Sequence, residues 1–320
     1  MNRELRIRSY QRGDEIKILE LFRHSFGHDL GPSYWTWRFG DNPAGAGMID
    51  LCWDGGILAA HYAVSPVALR VNGRDYSSGL SGTTMTHSDY RGRGLFPLLA
   101  AKTYARMAAA DLTLVWGFPN QFSHRSFIRH LDWKDVYEVP ILRLMTAQGT
   151  SLPAPGDAVV DMDAFDVRFD RLWAAVRDDY RVIARRDRTQ LSWRYSQNPQ
   201  EEYRILGYVD HEELLGYAVF KRYHDEVQII DILTRDDIAI GLQLIARVVQ
   251  IARTESAQSV SLWLNVTHRL HPALEGAGFV NGEPVTYFGA KLLRADSGGP
   301  GEVVYSFRDW YLTMGDSDVF

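Results

Sequence analysis

Apolar residues recur along this chain with two spacings. Between Asp14 and Phe26, the positions Ile16, Leu19 and Phe22 form the stripe of an amphipathic helix. Runs with strand character follow at Met48–Cys52, Ile57–Val64, Ala68–Val71 and Ser78–Thr86, and Asn72-Gly73 is the dipeptide of a tight hairpin turn. Leu95, Leu98 and Leu99 line one face of a second helix. A strand is predicted over Leu112–Gly117 and a short helix over Ser123–His130. The same succession returns as Tyr203–Tyr208, Leu214–Lys221, Glu226–Leu233, Ile238–Ala252, Val260–Leu264 and Leu270–Gly276. Strands and helices mixed in this way predict an α+β fold, with mixed, mostly antiparallel sheets flanked by helices.

Particular residues repeat with the elements. Trp37-Arg38-Phe39, followed by Asn42-Pro43, returns 156 positions later as Trp193-Arg194-Tyr195, followed by Asn198-Pro199. At about that offset, Ala59 to Val64 faces Leu215 to Val219, and Asn120 to Trp133 and Asn265 to Phe279 each read as strand end, polar turn, helix and aromatic stop. A tandem duplication accounts for this order better than chance recurrence of short aromatic motifs. Thr146–Val159, with its glycines and prolines, is the natural linker. The expected parts are an N-terminal domain over 1–147, a C-terminal copy over 160–294 and a docked tail over 302–320, with Ala295–Gly301 as a second flexible segment. The repeated aromatic-basic motif reads first as scaffold. Trp37 and Arg38, with His61, are also the candidates for binding an acceptor, since a ring and a phosphate could stack and pair there.

Composition narrows the partners. With 320 residues, 46% apolar and 23% charged, the chain can bury a real core. A net charge of −5 argues against nucleic acid. Cys52 is the one cysteine, which excludes an internal disulfide, and the ten histidines show no ligand spacing with carboxylates, so no metal is expected. No secretory signal follows Met1, and no apolar run approaches the ~18 residues of a spanning helix. A cytoplasmic monomer or homodimer is the expectation.

One run carries chemistry: Thr86-His87-Ser88-Asp89-Tyr90-Arg91-Gly92-Arg93-Gly94-Leu95-Phe96. A strand ends near Thr86, a turn carries two glycines, and a helix starts at Leu95. Unpaired N–H groups at a helix start, glycines that let the backbone approach, and Arg91 and Arg93 together make an anion site. Other phosphate loops fit worse, for the chain has no G-x-x-x-x-G-K-[ST].

This run resembles the acyl-CoA pyrophosphate loop of the GNAT superfamily and is closest to the branch that includes the enhanced-intracellular-survival acetyltransferases, while the tandem chain, with its Gly-Asp-Ser-Asp-Val-Phe ending, also resembles sugar N-acyltransferases. Asp89 stands where the family has Gln or Arg; the loop works mainly through backbone N–H groups, so the inference survives. The resemblance implies that acetyl-CoA or another acyl-CoA is bound by Arg91, Gly92, Arg93, Gly94, Leu95 and Phe96, with Thr84, Met85 and Thr86 along the pantetheine arm. Gly117-Phe118-Pro119-Asn120 and Ser123 resemble the other flank of that arm, so Asn120 and Ser123 are candidate contacts. They equally suit a turn and a helix N-cap, the latter being a role for Ser123. In the second half, Asp236 and Asp237 stand where the phosphates would need positive charge, so one cofactor per chain is expected.

Acyl transfer to an amine needs a base for the amine proton. His87, His61 and His124 are candidates, with His87 ranked first. The general acid that this family commonly has is a tyrosine, and its position here is Phe127. By resemblance, the tail supplies a carboxylate: Asp316, Asp318 or the terminal Phe320. The acceptor implied is a small-molecule amine, with a nucleotide-linked amino sugar as the best guess. Aminoglycosides, other small amines, protein lysines, a FemAB-like reaction on aminoacyl-tRNA and a silent CoA-binding module are the alternatives.

Overall fold

The computed structural model describes residues 5–235, 237–294 and 299–318. The N-terminal half runs β1 (Arg6–Ser9), α1 (Glu15–Phe26), α2 (Pro32–Phe39), β2 (Met48–Asp54), β3 (Ile57–Val71), β4 (Arg74–Thr86), α3 (Leu95–Ala109), β5 (Leu114–Gly117), α4 (His124–Leu131) and β6 (Lys134–Met145). The C-terminal half runs β7 (Val159–Met162), α5 (Val167–Val176), β8 (Val182–Ala184), α6 (Arg188–Leu191, continuing as a wider turn to Ser196), β9 (Arg204–Asp210), β10 (Glu213–Tyr223), β11 (Glu226–Thr234), α7 (Ile238–Thr254), β12 (Ser259–Leu262), α8 (Leu270–Gly276) and β13 (Val280–Leu292). A tail follows, with β14 at Trp310–Tyr311.

A single sheet joins the halves in the order β1-β2-β3-β4-β5-β13-β6-β12-β11-β10-β9-β7. The order reads alike from both ends, except that the last strand of each half lies in the other. Gly289 of β13 pairs with Gly117 of β5, and Leu142 of β6 pairs with Leu262 of β12. The pairs β4/β5 and β11/β12 are parallel and the rest of this path is antiparallel. Parallel neighbours need a crossover, and the helices α3 and α7 supply it.

Local chemistry explains much of this. Asn72 (φ 47°) and Gly73 (φ 74°) make the expected hairpin turn, in the left-handed backbone that such turns require. The runs Ile57–Val64 and Ala68–Val71, expected as two strands, are one long β3. Pro66 lies inside it, where proline's missing N–H would break a ladder. Between Val64, where β2 stops pairing, and Leu69, where β8 begins, β3 has only β4 beside it, so no bond is lost.

The tryptophans of the repeated motif meet between the halves. Trp37 stacks on Trp193 at 4.9 Å between ring centroids, and each indole N–H donates to the other's carbonyl, at 2.8 and 3.1 Å. Trp37 thus spends one ring face and its indole donor inside the protein, and its side chain is largely buried.

Two arginines clamp the tail. Buried Arg186 donates to Asp231 (3.1 Å) and Asp316 (2.7 Å), while Thr313 and Tyr217 close the network. Buried Arg194 donates to the carbonyls of Gly315 (3.2 Å) and Ser317 (2.9 Å). Asp316 is thus a structural anchor and not a base facing an acceptor. Among the described residues no helix is long and apolar enough to cross a membrane, and no cluster of His, Cys, Asp or Glu could hold a metal ion.

Candidate functional site

The turn between β4 and α3 is built as an anion cradle. Gly92 (φ 76°) and Gly94 (φ 71°) are both left-handed, and nothing lies within 4 Å of where their side chains would start. Gly94 caps α3 without a side chain, and among the described residues Gly92, Arg93 and Gly94 donate no hydrogen bond to a backbone acceptor outside helices and strands. The first turn of α3 adds N–H groups with no partner inside the helix. Arg93 packs over Tyr90, 4.8 Å from its ring, and donates to the Asp89 carbonyl; the Tyr90 hydroxyl donates to Asp54 (2.7 Å). These contacts stiffen the turn around its glycines.

β4 and β5 pair from Ser78–Leu114 to Ser81–Gly117 and then diverge. A bulge sits in the diverging part of β4: Ala63 pairs with Gly82 but His61 with Met85, so two residues oppose Tyr62. Thr83 takes φ 54° there, and the His61 ring nitrogen Nδ1 lies 2.8 Å from its carbonyl. Burial pushes His61 down to about 4, against the opposing pull of that carbonyl, so the imidazole is neutral and Nδ1–H donates. His61 holds the bulge from within the core. It is buried and absent from the walls of the cavity described next.

A cavity of about 560 Å³ opens at this fork. The N-terminal half lines it with Ser81–Thr84, Phe118, Asn120, Ser123 and Phe127, and the C-terminal half with Tyr223, Glu226, Gln228 and Trp263. Asp318 of the tail lines it too, and its Oδ2 lies 3.4 Å from Nη2 of buried Arg38. A Cβ on Gly82 would collide with both groups. Gly82→Ala is expected to lower kcat by about tenfold or more, since a misplacement of about 1 Å costs that much or more, with acetyl-CoA affinity kept. Steady-state kinetics beside a binding titration checks it, and unchanged kcat would detach Asp318 from the reaction.

Other expected residues are placed differently. His87 caps the short turn after β4, stacks on His24 at 4.2 Å and lines a shallow depression with Lys17, Glu20 and Leu58. It turns towards α1 and does not line the cavity at the fork, so it is not beside a thioester held there. Thr84 lines the cavity, whereas Met85 is buried in the core against α1 and α2, and Thr86 ends the strand. Leu95 is buried and Phe96 packs on Phe127 at 4.9 Å. Ser123 holds the N-cap position of α4 without a side-chain capping bond, and Asn120 closes the turn before it, its Oδ1 accepting from the N–H groups of Phe122 and Ser123, both at 3.0 Å. His124 stacks on Tyr287 and bonds Asp135. Phe320 lies outside the described residues.

The second fork, between β11 and β12, is narrowed by the tail to a smaller cavity of about 240 Å³, lined by Thr234, Asp237, Asn265, Thr267 and Tyr311. Asn265, which corresponds to Asn120, donates to the Phe307 and Trp310 carbonyls, and the Tyr311 hydroxyl donates to the Ile232 carbonyl. Asp237 caps α7 through the Ala239 N–H. The tail thus walls this second groove, which leaves less room than the first.

Sequence reasoning missed Glu226 and Gln228. Both are polar residues alternating with apolar ones in Glu226-Val227-Gln228-Ile229, opposite Ser259 and Ser261 on the neighbouring strand, and that alternation was the available signal.

A family described as an acetyltransferase (GNAT) domain matches residues 6–136. No curated protein matches the chain in sequence. Among solved structures, the chain is similar to a conserved protein of unknown function from Enterococcus faecalis, described as a probable N-acyltransferase, with a TM-score of 0.72 and 12% identity over 91% of this chain and 73% of that one. It is also similar to a GCN5-related N-acetyltransferase from Kribbella flavida (TM-score 0.70, 17% identity, 90% and 71% covered). A third, from Anabaena variabilis, gives a TM-score of 0.70 at 14% identity, with 91% and 73% covered. At these identities the likeness is one of fold, and it extends over both halves. The family's domain, at residues 6–136, identifies the N-terminal part of this chain as a GNAT acetyltransferase domain.

Proposed function

We propose that the protein transfers the acyl group of acetyl-CoA to the primary amine of a small molecule, an amino sugar and by preference a nucleotide-linked one. One observation carries this reading: a single cavity at the β4–β5 fork is walled by both halves and holds the Asp318 carboxylate. In this reading the halves are copies of one unit. The first keeps the cofactor cradle and the second has become a wall of the acceptor site.

The residues fit the cofactor. Open space and left-handed backbone at Gly92 and Gly94, with the positive charge of Arg91 and Arg93, suit a pyrophosphate. Asn120 Nδ2 and the Ser123 hydroxyl stand at the cavity for the pantetheine amides. Acyl-CoA, when bound, supplies an activated thioester carbonyl. Asp318 takes the proton of the incoming ammonium. The β4 bulge, whose extra residue is outside the ladder, offers backbone N–H to the carbonyl oxygen. Arg38 holds Asp318 in place.

Calorimetric titration of acetyl-CoA into the wild type and into a Gly92→Asp/Gly94→Asp variant tests the acyl-donor assignment. Saturable one-to-one binding by the wild type is expected, weakened about tenfold or more in the folded variant, since a carboxylate at the cradle costs over 1.4 kcal/mol against a phosphate. Equal binding by both would sink it.

A further inference from the structure

We propose that the Ser81 hydroxyl donates a hydrogen bond to the sulfur that leaves acetyl-CoA, which makes Ser81 a catalytic residue on the leaving-group side of the reaction. The inference rests on the reading that the fork cavity takes the acetyl thioester.

Three hydroxyls form a chain behind the cavity wall. The Trp133 indole N–H donates to the Tyr104 hydroxyl at 3.0 Å, and the Tyr62 hydroxyl lies 2.8 Å from both Tyr104 and Ser81. Among the described residues none of the three hydroxyls has another hydrogen-bond partner. An indole nitrogen only donates, so it takes none of their hydrogens. Three hydroxyl hydrogens then share two contacts, and one hydrogen is left over. A buried donor without a partner is costly, so the spare hydrogen falls to the hydroxyl with open space beside it. Tyr62 and Tyr104 sit in the core beneath α3, and burial pushes both phenols up, so each keeps its proton. Of the three residues only Ser81 lines the cavity. The chain therefore runs one way: Tyr104 donates to Tyr62, Tyr62 donates to Ser81, and Ser81 holds the spare hydrogen.

The fork leaves room beside this hydroxyl. Gly117 pairs with Ser81 where β4 and β5 begin to part, and a Cβ on Gly117 would stand 3.5 Å from the Ser81 Cβ. With glycine there, that space belongs to the cavity, which Gly117 also lines. Successive strand residues face opposite sides of a sheet. Ser81 looks towards α3 and α4, as its bond to Tyr62 requires, where Phe127 and Trp133 wall the cavity. Gly82 looks to the other side, towards Arg38 and Asp318. The side that carries the cradle thus lies opposite the side that holds the base.

The attacking nitrogen bonds the carbonyl carbon from the Asp318 side. The C–S bond then breaks with its electron pair going to sulfur, and the second proton shed by the nitrogen completes the thiol. Negative charge grows on sulfur in between. A fixed O–H beside it stabilises that charge and keeps its own proton, and the bonds from Tyr104 and Tyr62 polarise it further. Phe127, on the same side, has no donor to offer.

Calorimetry of wild type and Ser81→Ala with CoA and with desulfo-CoA, at pH 7 and pH 9, tests this. At pH 9 a thiol of ordinary pKa, about 8.5, is largely ionised, so CoA then presents the thiolate that leaves in the reaction. The expected result is a loss of about tenfold or more in CoA affinity at pH 9 for Ser81→Ala, the range for a hydrogen bond to a charged group, and a smaller loss at pH 7. Desulfo-CoA binds both proteins alike at both pH values. Tyr62→Phe, which keeps the ring and removes the bond that orients Ser81, gives the same split at smaller size and serves should the alanine variant not fold. An equal loss for both ligands, or none for CoA at pH 9, overturns the inference while the acyl-donor reading stands. Failure of the wild type to bind either ligand sinks that reading, and the inference with it.

Discussion

Asp318→Asn is expected to lower kcat by about 10²- to 10⁴-fold, the range for a lost general base, while acetyl-CoA binds as before. The cavity has two carboxylates among its described lining residues, Glu226 and Asp318. Glu226 already accepts from Ser259, Ser261, Gln228 and Arg143, and its carboxyl is held low, so it is a poor proton acceptor. Among the described residues Asp318 pairs with Arg38 at 3.4 Å, and it stands against Gly82, where the strands part. A primary amine is protonated near neutral pH and must lose that proton to attack. In the variant the free amine has to come from solution, so the rate should rise with pH in proportion to the free-base fraction. Rate against pH, measured on both proteins with the same amine, checks this. A fall of less than about threefold, with an unchanged pH profile, would remove Asp318 from the chemistry.

Arg186→Met is expected to destabilise the fold by about 3–5 kcal/mol, the cost of breaking a buried ion pair by removing one partner. Arg186, Asp231 and Asp316 have side chains 3%, 2% and 5% exposed. Without the guanidinium, two carboxylates face each other out of water. Burial and the nearby Asp231 already push Asp316 up, and Arg186 is the main force opposing them. The tail would then leave its groove and take Asp318 with it, so activity should fall together with stability. Urea unfolding of the variant and of Arg186→Met/Asp316→Asn checks the mechanism, because the second change removes the orphaned charge and should recover part of the loss. A cost under about 1 kcal/mol for the single variant would mean that water reaches the network.

Much of the fold could be read from the chain because short-range chemistry dictates it. The Ile16/Leu19/Phe22 stripe is α1, Asn72-Gly73 is the turn, and the run from Ile238 is α7. Strands β6 and β13 had no such signature. β6 carries Pro140, and β13 is exposed from Val280 to Val285, so neither alternates cleanly, and each forms because another strand meets it. The cofactor turn was legible because glycine, arginine and a helix start are local signals. The far wall of the cavity was not, because Glu226 and Gln228 join Asp318, which the tail's resemblance had offered, only when the halves close. His87 misled for the same reason, since proximity in sequence to the end of β4 does not reveal which side of the sheet a ring faces.

The exchanged final strands have a consequence for biosynthesis. β5 leaves the ribosome long before β13, the strand that pairs with it. Until the second half is translated, β5 keeps one edge of open N–H and C=O groups, a template for pairing with a neighbouring nascent chain. The chain cannot mature one half at a time, and its completion is a late closure between distant segments, slow by the measure of loop entropy. Neither half completes its part of the sheet without a strand from the other.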